Sequence, residues 1–477
     1  LLRAGTVFIQ RQYPMHNPVT ANSKQQVLIA ETLLPMTPDN AVINNGAVLV
    51  EGQTIIAVGP KAEIIALAPD AERHDYGRAV LMPGLINTHS HSGFLRGTAE
   101  DLPVWDWLRL FIDPMHRVLT AEDAEIASWL CYSESLLSGT TTSVDMWRHM
   151  AGSARAAEAL GNRVVMVPYV GEAEGYDYFD TLDDNEALIQ QWHGKADGRI
   201  NVWVGLEHMY YATPEACTRA VAMCERYSTG LHTHSNEAEA EIGEAMKRFG
   251  CSPIRALERL GLLEPERVLL AHCVWLDEDE IALLAEKNIG VAHNPSSNMK
   301  LASGSAPIEQ LIAAGVAVGI GTDGEKENNN LDMLEEIKIA SLLAKLRCMD
   351  AAAYGAWNVL RSATIEGARA IGMADQIGSL EPGKQADIIA VRADTPRMTP
   401  FLTDGPFMNV HHNIVHSALG GDVSMTMVAG RIVMQDQQLL NGDLSRYMND
   451  AEAACRALLE RRAAWLAEHE DGALSPL

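Results

Sequence analysis

LMPGLINTHSH (residues 81–91), GLHTHSNE (230–237), VLLAHC (268–273) and AVGIGTD (317–323) share one pattern: an apolar run that ends on a metal-ligating side chain. The ends are His89 and His91, His234 with Glu237, His272, and Asp323. Ligands to one ion must converge from distant sequence positions, and the strand ends of a closed barrel supply that convergence. A lone His after an apolar run is more often a hydrogen-bonded core or surface residue. The ordered set His-x-His, His-x-x-Glu, His and Asp, each at a strand-like end, favours a metal site instead.

Outward from these segments, apolar β runs alternate with amphipathic helical stretches, the pattern of βα units. Candidate strands fall at 81–89, 140–146, 163–170, 200–207, 228–234, 267–272, 288–293 and 316–322. Helical patterns such as AEDAEIASWLCYSESLLSG, ACTRAVAMCERYS, DEIALLAEKN and IEQLIAAG lie between them and stop near Gly, Asn or Ser. Eight strands with intervening helices predict an α/β protein with a (β/α)8 TIM barrel over 81–377 and an active site at the strand C-termini. A doubly wound open sheet would gather ligands at one switch point, whereas ligands on strands 1, 5, 6 and 8 suit a ring.

Flanking this region, VLIAETLLPM (27–36) and GAVLVEGQTIIAVGP (46–60), with a turn at Glu51 and Gly52, match a late β pattern in 378–391 and 423–440. Segments 27–80 and 378–445 are therefore expected to form one small composite β-sandwich. Residues 446–477 read as a C-terminal helix. Residues 1–26, with scattered apolar positions and no secretory pattern, read as an N-terminal extension outside the fold, with Met15 as a candidate start.

Composition narrows the partners. The chain has 477 residues, 47% of them hydrophobic, enough for a large barrel and a smaller unit. Its net charge of -26 repels phosphate backbones and anionic membrane surfaces, so a small-molecule substrate is expected and nucleic acid is not. No apolar run approaches the roughly 18 to 20 residues of a membrane span. The 7 Cys contain no CxxC pair, which points to free thiols and a cytoplasmic location.

The spacing of the candidate ligands suggests their chemistry. His89 and His91, two apart on a strand, face one side together. With His234 and Asp323 they give three nitrogens and a carboxylate oxygen, a donor set suited to one divalent metal per subunit, zinc before iron or cobalt. A bound divalent cation lowers the pKa of its water toward about 7 and so yields hydroxide at neutral pH. Glu237, three residues past His234, is placed to take the water proton and pass it to a leaving nitrogen. In the acidic run around it, the competing reading is a solvated side chain. His272 is either a further ligand or a group that orients the hydroxide, the second being preferred for one metal. Asp323 also stands as an acceptor for a second proton. A two-metal site would want a bridging group such as a carbamylated Lys at the end of strand 4, where the chain has Glu207 and His208 instead.

PGLINTHSH, RGTAEDLPVWDWL, SGTTTSVDM, LHTHSNE, LLAHC, HNPSSNMKLASGSAPI, GIGTDG, ATIEGARAIGM and GSLEPGKQADI occur in that order. With them the chain resembles the amidohydrolase superfamily from about residue 27 to 445, in the branch of 5-methylthioadenosine/S-adenosylhomocysteine deaminases and triazine hydrolases. The resemblance implies a mononuclear site with His89, His91, His234 and Asp323 as ligands, Glu237 as proton shuttle and His272 beside the hydroxide. It also implies substrate contacts from Glu100, to ribose hydroxyls, and from His208. Asn298 in the NPSSN loop is a further pocket candidate, and Trp105, Trp107 and Trp147 are candidates for stacking on a ring. Relatives of this kind are often homo-oligomers, dimers or tetramers.

The chain also departs from that pattern. Glu325, Lys326 and Glu327 stand before Asn328 and Asn329 where adenosine-type deaminases carry small residues. The loop after strand 3 has Pro168 and acidic residues where arginines would meet a substrate carboxylate, which disfavours S-adenosylhomocysteine. The expected activity is hydrolytic deamination of an amino-substituted N-heterocycle or a methylthioadenosine-like nucleoside. The alternatives are hydrolysis of a C–N or C–S bond in a urea, carbamate or thiocarbamate, or hydrolytic displacement on a triazine. A catalytically dead scaffold would be expected to lose ligands, and all are retained here. The Cys-rich zinc deaminases need a PCxxC motif that the chain lacks.

Overall fold

The structure is a computed structural model that describes residues 24–469 and the backbone of a short strand at Phe8–Ile9. Its centre is a parallel barrel. In chain order the strands are β1 (Leu85–Ser90), β2 (Thr140–Trp147), β3 (Arg163–Pro168), β4 (Ile200–Val202 continuing as Val204–His208), β5 (Leu231–Ser235), β6 (Val268–His272), β7 (Gly290–His293) and β8 (Ala317–Ile320). Each pairs in parallel with its neighbour, and β8 pairs back on β1 through Ile320 and Asn87. The first half of β4 pairs with β3 and the second half with β5. Bonds from Trp203 N to Met166 O and from Glu207 N to Val170 O, both 2.9 Å, carry the ring across that break.

Every residue of β3 and of β6 is buried, as expected for parallel strands covered on both faces. The helices outside the ring start on local signals. Thr120 with Asp123, Thr181 with Asp184 and Asp277 with Glu280 form capping boxes, and Thr213 caps a helix that opens with Pro214.

A second, mixed sheet combines strands from both ends of the sequence. Ala79–Pro83 lies between Gln25–Leu33 and Ile388–Arg392, and the order continues through Ile43–Glu51 and Thr54–Pro60 on one side and Val423–Val428 and Arg431–Gln435 on the other. Leu28, Val48, Val58, Leu81, Ile388 and Met427 share one buried apolar cluster, so the two ends of the chain close a common core. The fold is thus a TIM-type barrel with a smaller β unit.

Three expectations need correction. The strand placed at 81–89 is two strands broken at Gly84: residues through Pro83 belong to the outer sheet and the barrel strand starts at Leu85. A Cβ at Gly84 would lie 2.2 Å from Thr141 Oγ1, which explains the glycine at this crossing point. The extension 1–26 also overlaps the fold, because Gln25 and Gln26 pair with Glu51 and Val50, and Phe8–Ile9 pairs with Val58 and Ala57. Residues 1–7 and 10–23 of that segment and the end of the expected terminal helix, 470–477, lie outside the described residues. The terminal helix itself begins earlier, at Leu444, and packs along the helix Ala121–Leu137.

Candidate metal centre

The C-terminal ends of β1, β5, β6 and β8 bring His89, His91, His234, His272 and Asp323 together. One potential ligand atom from each of His89, His91 and Asp323, and one from each of His89, His234 and His272, lie within 4.8 Å of one another. His272 and Asp323 leave their strands with φ of 73° and 60°, a left-handed conformation that non-glycine residues adopt where surrounding structure enforces it.

Hydrogen bonds fix the ring tautomers. Nδ1 of His91 lies 2.6 Å from the Met146 carbonyl and Nδ1 of His234 lies 2.6 Å from the Glu207 carbonyl, and a carbonyl only accepts. Both rings therefore carry hydrogen on Nδ1. His232 Nδ1 faces the Leu269 carbonyl at 2.8 Å, which leaves its Nε2 as the acceptor for His89 Nδ1 at 2.8 Å. His272 Nδ1 faces Asn298 Oδ1 at 2.9 Å. The consequence is a group of bare Nε2 lone pairs pointing inward. His91 and His234 Nε2 are 3.3 Å apart, and Asp323 Oδ1 is 3.3 Å from His89 Nε2 and 3.2 Å from that of His91. His89 Nε2 is buried without a hydrogen-bond partner. Acceptors facing acceptors at this range require a cation, so the donor set fits a divalent ion.

The protonation states agree. Burial holds the His89 and His234 rings far below the usual imidazole range, hence neutral. Burial also opposes a charged His272, and Glu237 and Asp323 outweigh it to raise that pKa.

Glu237 Oε2 and Asp323 Oδ2 each lie 3.8 Å from His272 Nε2. Burial pushes the Glu237 carboxyl up to about 7, against His272 and helped by Asp323 and Glu241. Its backbone N–H donates to Glu241 Oε2 at 2.6 Å, and Glu241 Oε1 holds His208 Nε2 at 2.7 Å. His91, His234, His272, Asp323 and Glu237 share one cavity, whose lining also includes Trp105, Trp107, Leu108, Tyr169, Tyr211 and Leu301.

Trp105 and His208 line this cavity. Glu100 does not: its carboxylate is engaged outside by Lys300 at 3.0 Å and Asn329 at 3.2 Å. Asn298 is buried behind His272 and positions that ring instead of lining the pocket. Trp147 is buried and donates to the Ala124 carbonyl, while Trp107 reaches the cavity. Of Glu325, Lys326 and Glu327, only Glu327 lines it. Glu325 accepts from Leu95 N, and Lys326 is buried beside Glu327.

Two orienting groups were missed from sequence. His232, two before His234, has the alternation that puts it on the same face. Asp145 accepts from Ser92 N and Oγ and from Tyr132 OH, and so anchors the chain just past His91.

Comparison with known proteins adds lineage to this geometry. Residues 80–433 match the model of the amidohydrolase family. A 5-methylthioadenosine/S-adenosylhomocysteine deaminase from Symbiobacterium thermophilum is 40% identical over 414 residues, 86% of this chain and 93% of that protein. An adenosine deaminase from Xanthomonas campestris solved with bound zinc superposes with a TM-score of 0.84 at 29% identity, covering 92% of this chain and 99% of the other. An atrazine chlorohydrolase from Arthrobacter aurescens TC1 complexed with zinc gives a TM-score of 0.81 over 90% of this chain and 100% of its own, and at 24% identity that likeness concerns the fold alone.

Proposed function

The chain belongs to the amidohydrolase family and is a hydrolytic aminohydrolase; we propose that it removes the exocyclic amine of an adenosine-like N-heterocycle with one divalent ion per subunit. The observation that carries this reading is the inward set of Nε2 lone pairs closed by Asp323, with Glu237 across His272. His89, His91, His234 and Asp323 hold the ion in this reading. We take the ion to be zinc, which three neutral imidazoles and a carboxylate suit well; iron and cobalt accept the same donors.

When bound, such an ion would lower the pKa of a water it holds toward about 7, supplying hydroxide at neutral pH. The remaining work falls to side chains. Glu237 takes the water proton and delivers it to the ring nitrogen next to the amidine carbon, making that carbon attackable; once the C–O bond has formed, Asp323 takes the remaining hydroxyl proton and passes it to the exocyclic amine, so that the C–N bond breaks and ammonia leaves. His272, held by Asn298, orients the attacking oxygen through its Nε2. Trp105 and Trp107 stack on the heterocycle and shut out bulk water. His208, held by Glu241, contacts the substrate beyond the ring.

Supporting a reducing compartment such as the cytoplasm, all seven cysteines are free thiols, five of them buried. We also propose a homo-oligomer, dimer or tetramer, with the exposed Met448 face of the terminal helix as its contact, testable by light scattering.

Metal-loaded protein incubated with adenosine-type, guanine-type, triazine, phenylurea and thiocarbamate compounds should release ammonia from the adenosine-type set. Chloride, aniline or thiol release from the others, with no ammonia from the adenosine-type set, would overturn this reading.

A further inference from the structure

Glu336 lies on the helix Met333–Cys348, which packs against β8 and β1, and it is only 1% exposed. Three donors converge on its carboxyl. Ser296 N–H reaches Oε1 at 2.9 Å, and Ser296 Oγ and Asn328 Nδ2 reach Oε2 at 2.6 and 2.9 Å.

These donors come from two different segments of the metal centre. The first is the short helix Pro295–Lys300 after β7. Its start has no cap of its own, because the Asn294 side chain makes no capping bond and Pro295 has no N–H, so Ser296 N–H is answered by Glu336. Two residues further on, the same helix carries Asn298, whose Oδ1 holds His272 Nδ1 at 2.9 Å. The second segment follows β8. Asn328 Nδ2 gives its other hydrogen to the Thr322 carbonyl at 2.9 Å, and Thr322 adjoins Asp323. One buried carboxyl thus braces both the helix that aims His272 and the turn that presents Asp323. Among the side chains of the centre these are the two with a left-handed backbone, which surrounding structure must enforce, and their Nε2 and Oδ2 atoms stand 3.8 Å apart.

We propose that Glu336 is a positioning residue that sets the separation of His272 and Asp323, and with it the place where the attacking oxygen is held, without touching substrate or ion. This rests on the roles given above to His272 and Asp323. It deepens them by naming the group that keeps the two in register.

Glu336→Gln provides the test. The amide keeps the size of the side chain and still accepts from Ser296 N–H, but its Nε2 would face Asn328 Nδ2, donor against donor. Turning the Asn328 amide over would set its Oδ1 against the Thr322 carbonyl, so the brace to Asp323 is cut either way. In the metal-loaded full chain, kcat for ammonia release should fall about 10- to 100-fold, with KM within about threefold and about one ion per chain. Asn328→Ala cuts the same arm, so the double variant should fall no more than about threefold below the poorer single variant. Loaded with cobalt, whose visible bands report ligand geometry, Glu336→Gln should show shifted bands at an unchanged ion content. Unchanged kcat, single effects that multiply in the double variant, loss of the ion, or cobalt bands identical to those of the unaltered protein would each overturn the proposal. Should Glu336→Gln fail to fold, kcat and the cobalt bands of Asn328→Ala decide in the same way. No ammonia from the unaltered protein would sink the deaminase reading alone, since the cobalt bands still decide for or against Glu336.

Discussion

His89 Nδ1 and His232 Nε2 lie 2.8 Å apart, and because His232 spends its own N–H on the Leu269 carbonyl, this contact fixes which nitrogen of His89 faces the metal centre. A group that orients a ligand typically costs 10- to 100-fold in metal affinity when removed. His232→Ala should therefore bind metal about 10- to 100-fold more weakly with its circular dichroism unchanged, as read by competition with a chromophoric chelator.

Glu237→Gln keeps the volume of the side chain and removes its basicity. It should retain metal and lose about 100- to 10,000-fold or more in kcat. Near-normal turnover would remove Glu237 from the mechanism.

The same carboxyl sets a pH dependence. Burial places its titration at about 7 in the metal-free protein, and a nearby cation favours the ionised form and moves it lower. Only the ionised form accepts a proton from water. The account therefore expects kcat/KM to rise with pH along an acid limb at or below about 7 and then level off. Activity that falls through that range would contradict the assignment as a base.

Asn298 acts through His272. Asn298→Ala should lower kcat more than it raises KM, leave bound metal unchanged by elemental analysis, and recover in part in Asn298→Asp, whose carboxylate still accepts from His272 Nδ1. A loss of metal would make Asn298 a support of the whole centre.

Arg163 of β3 and Asp387, just before the outer-sheet strand Ile388–Arg392, form a two-pronged buried pair, Nε to Oδ2 at 2.8 Å and Nη2 to Oδ1 at 3.1 Å, each side chain 2% exposed. Asp387→Asn strands a buried guanidinium and should destabilise the protein by about 3–5 kcal/mol in denaturant titration. A change below about 1 kcal/mol would show that the link between barrel and outer sheet is held elsewhere.

The barrel was legible because most of its strands hold short apolar runs, such as VVMV in β3 and VLLA in β6, and its helices carry local start and stop signals, both short-range properties of sequence. His89, His91, His234, His272, Asp323 and Glu237 were legible because each follows such a strand. The break at Gly84 was not, since an uninterrupted apolar run hides a change of sheet that only Thr141, over 50 residues away, makes necessary. The partners of Glu100 and Asn298 were not legible for a related reason. Loop side chains find partners set by tertiary packing, and Lys300 and His272 claim these two. His232 was passed over inside a motif already credited to its neighbour.

The central claim is that one divalent cation sits among His89, His91, His234 and Asp323. Metal per chain, measured by elemental analysis after extensive chelation and reloading, tests it most directly in the unaltered protein and in His89→Ala. The account expects about one ion per chain in the first and a loss of both ion and ammonia release in the second; a full complement of metal in His89→Ala would contradict it.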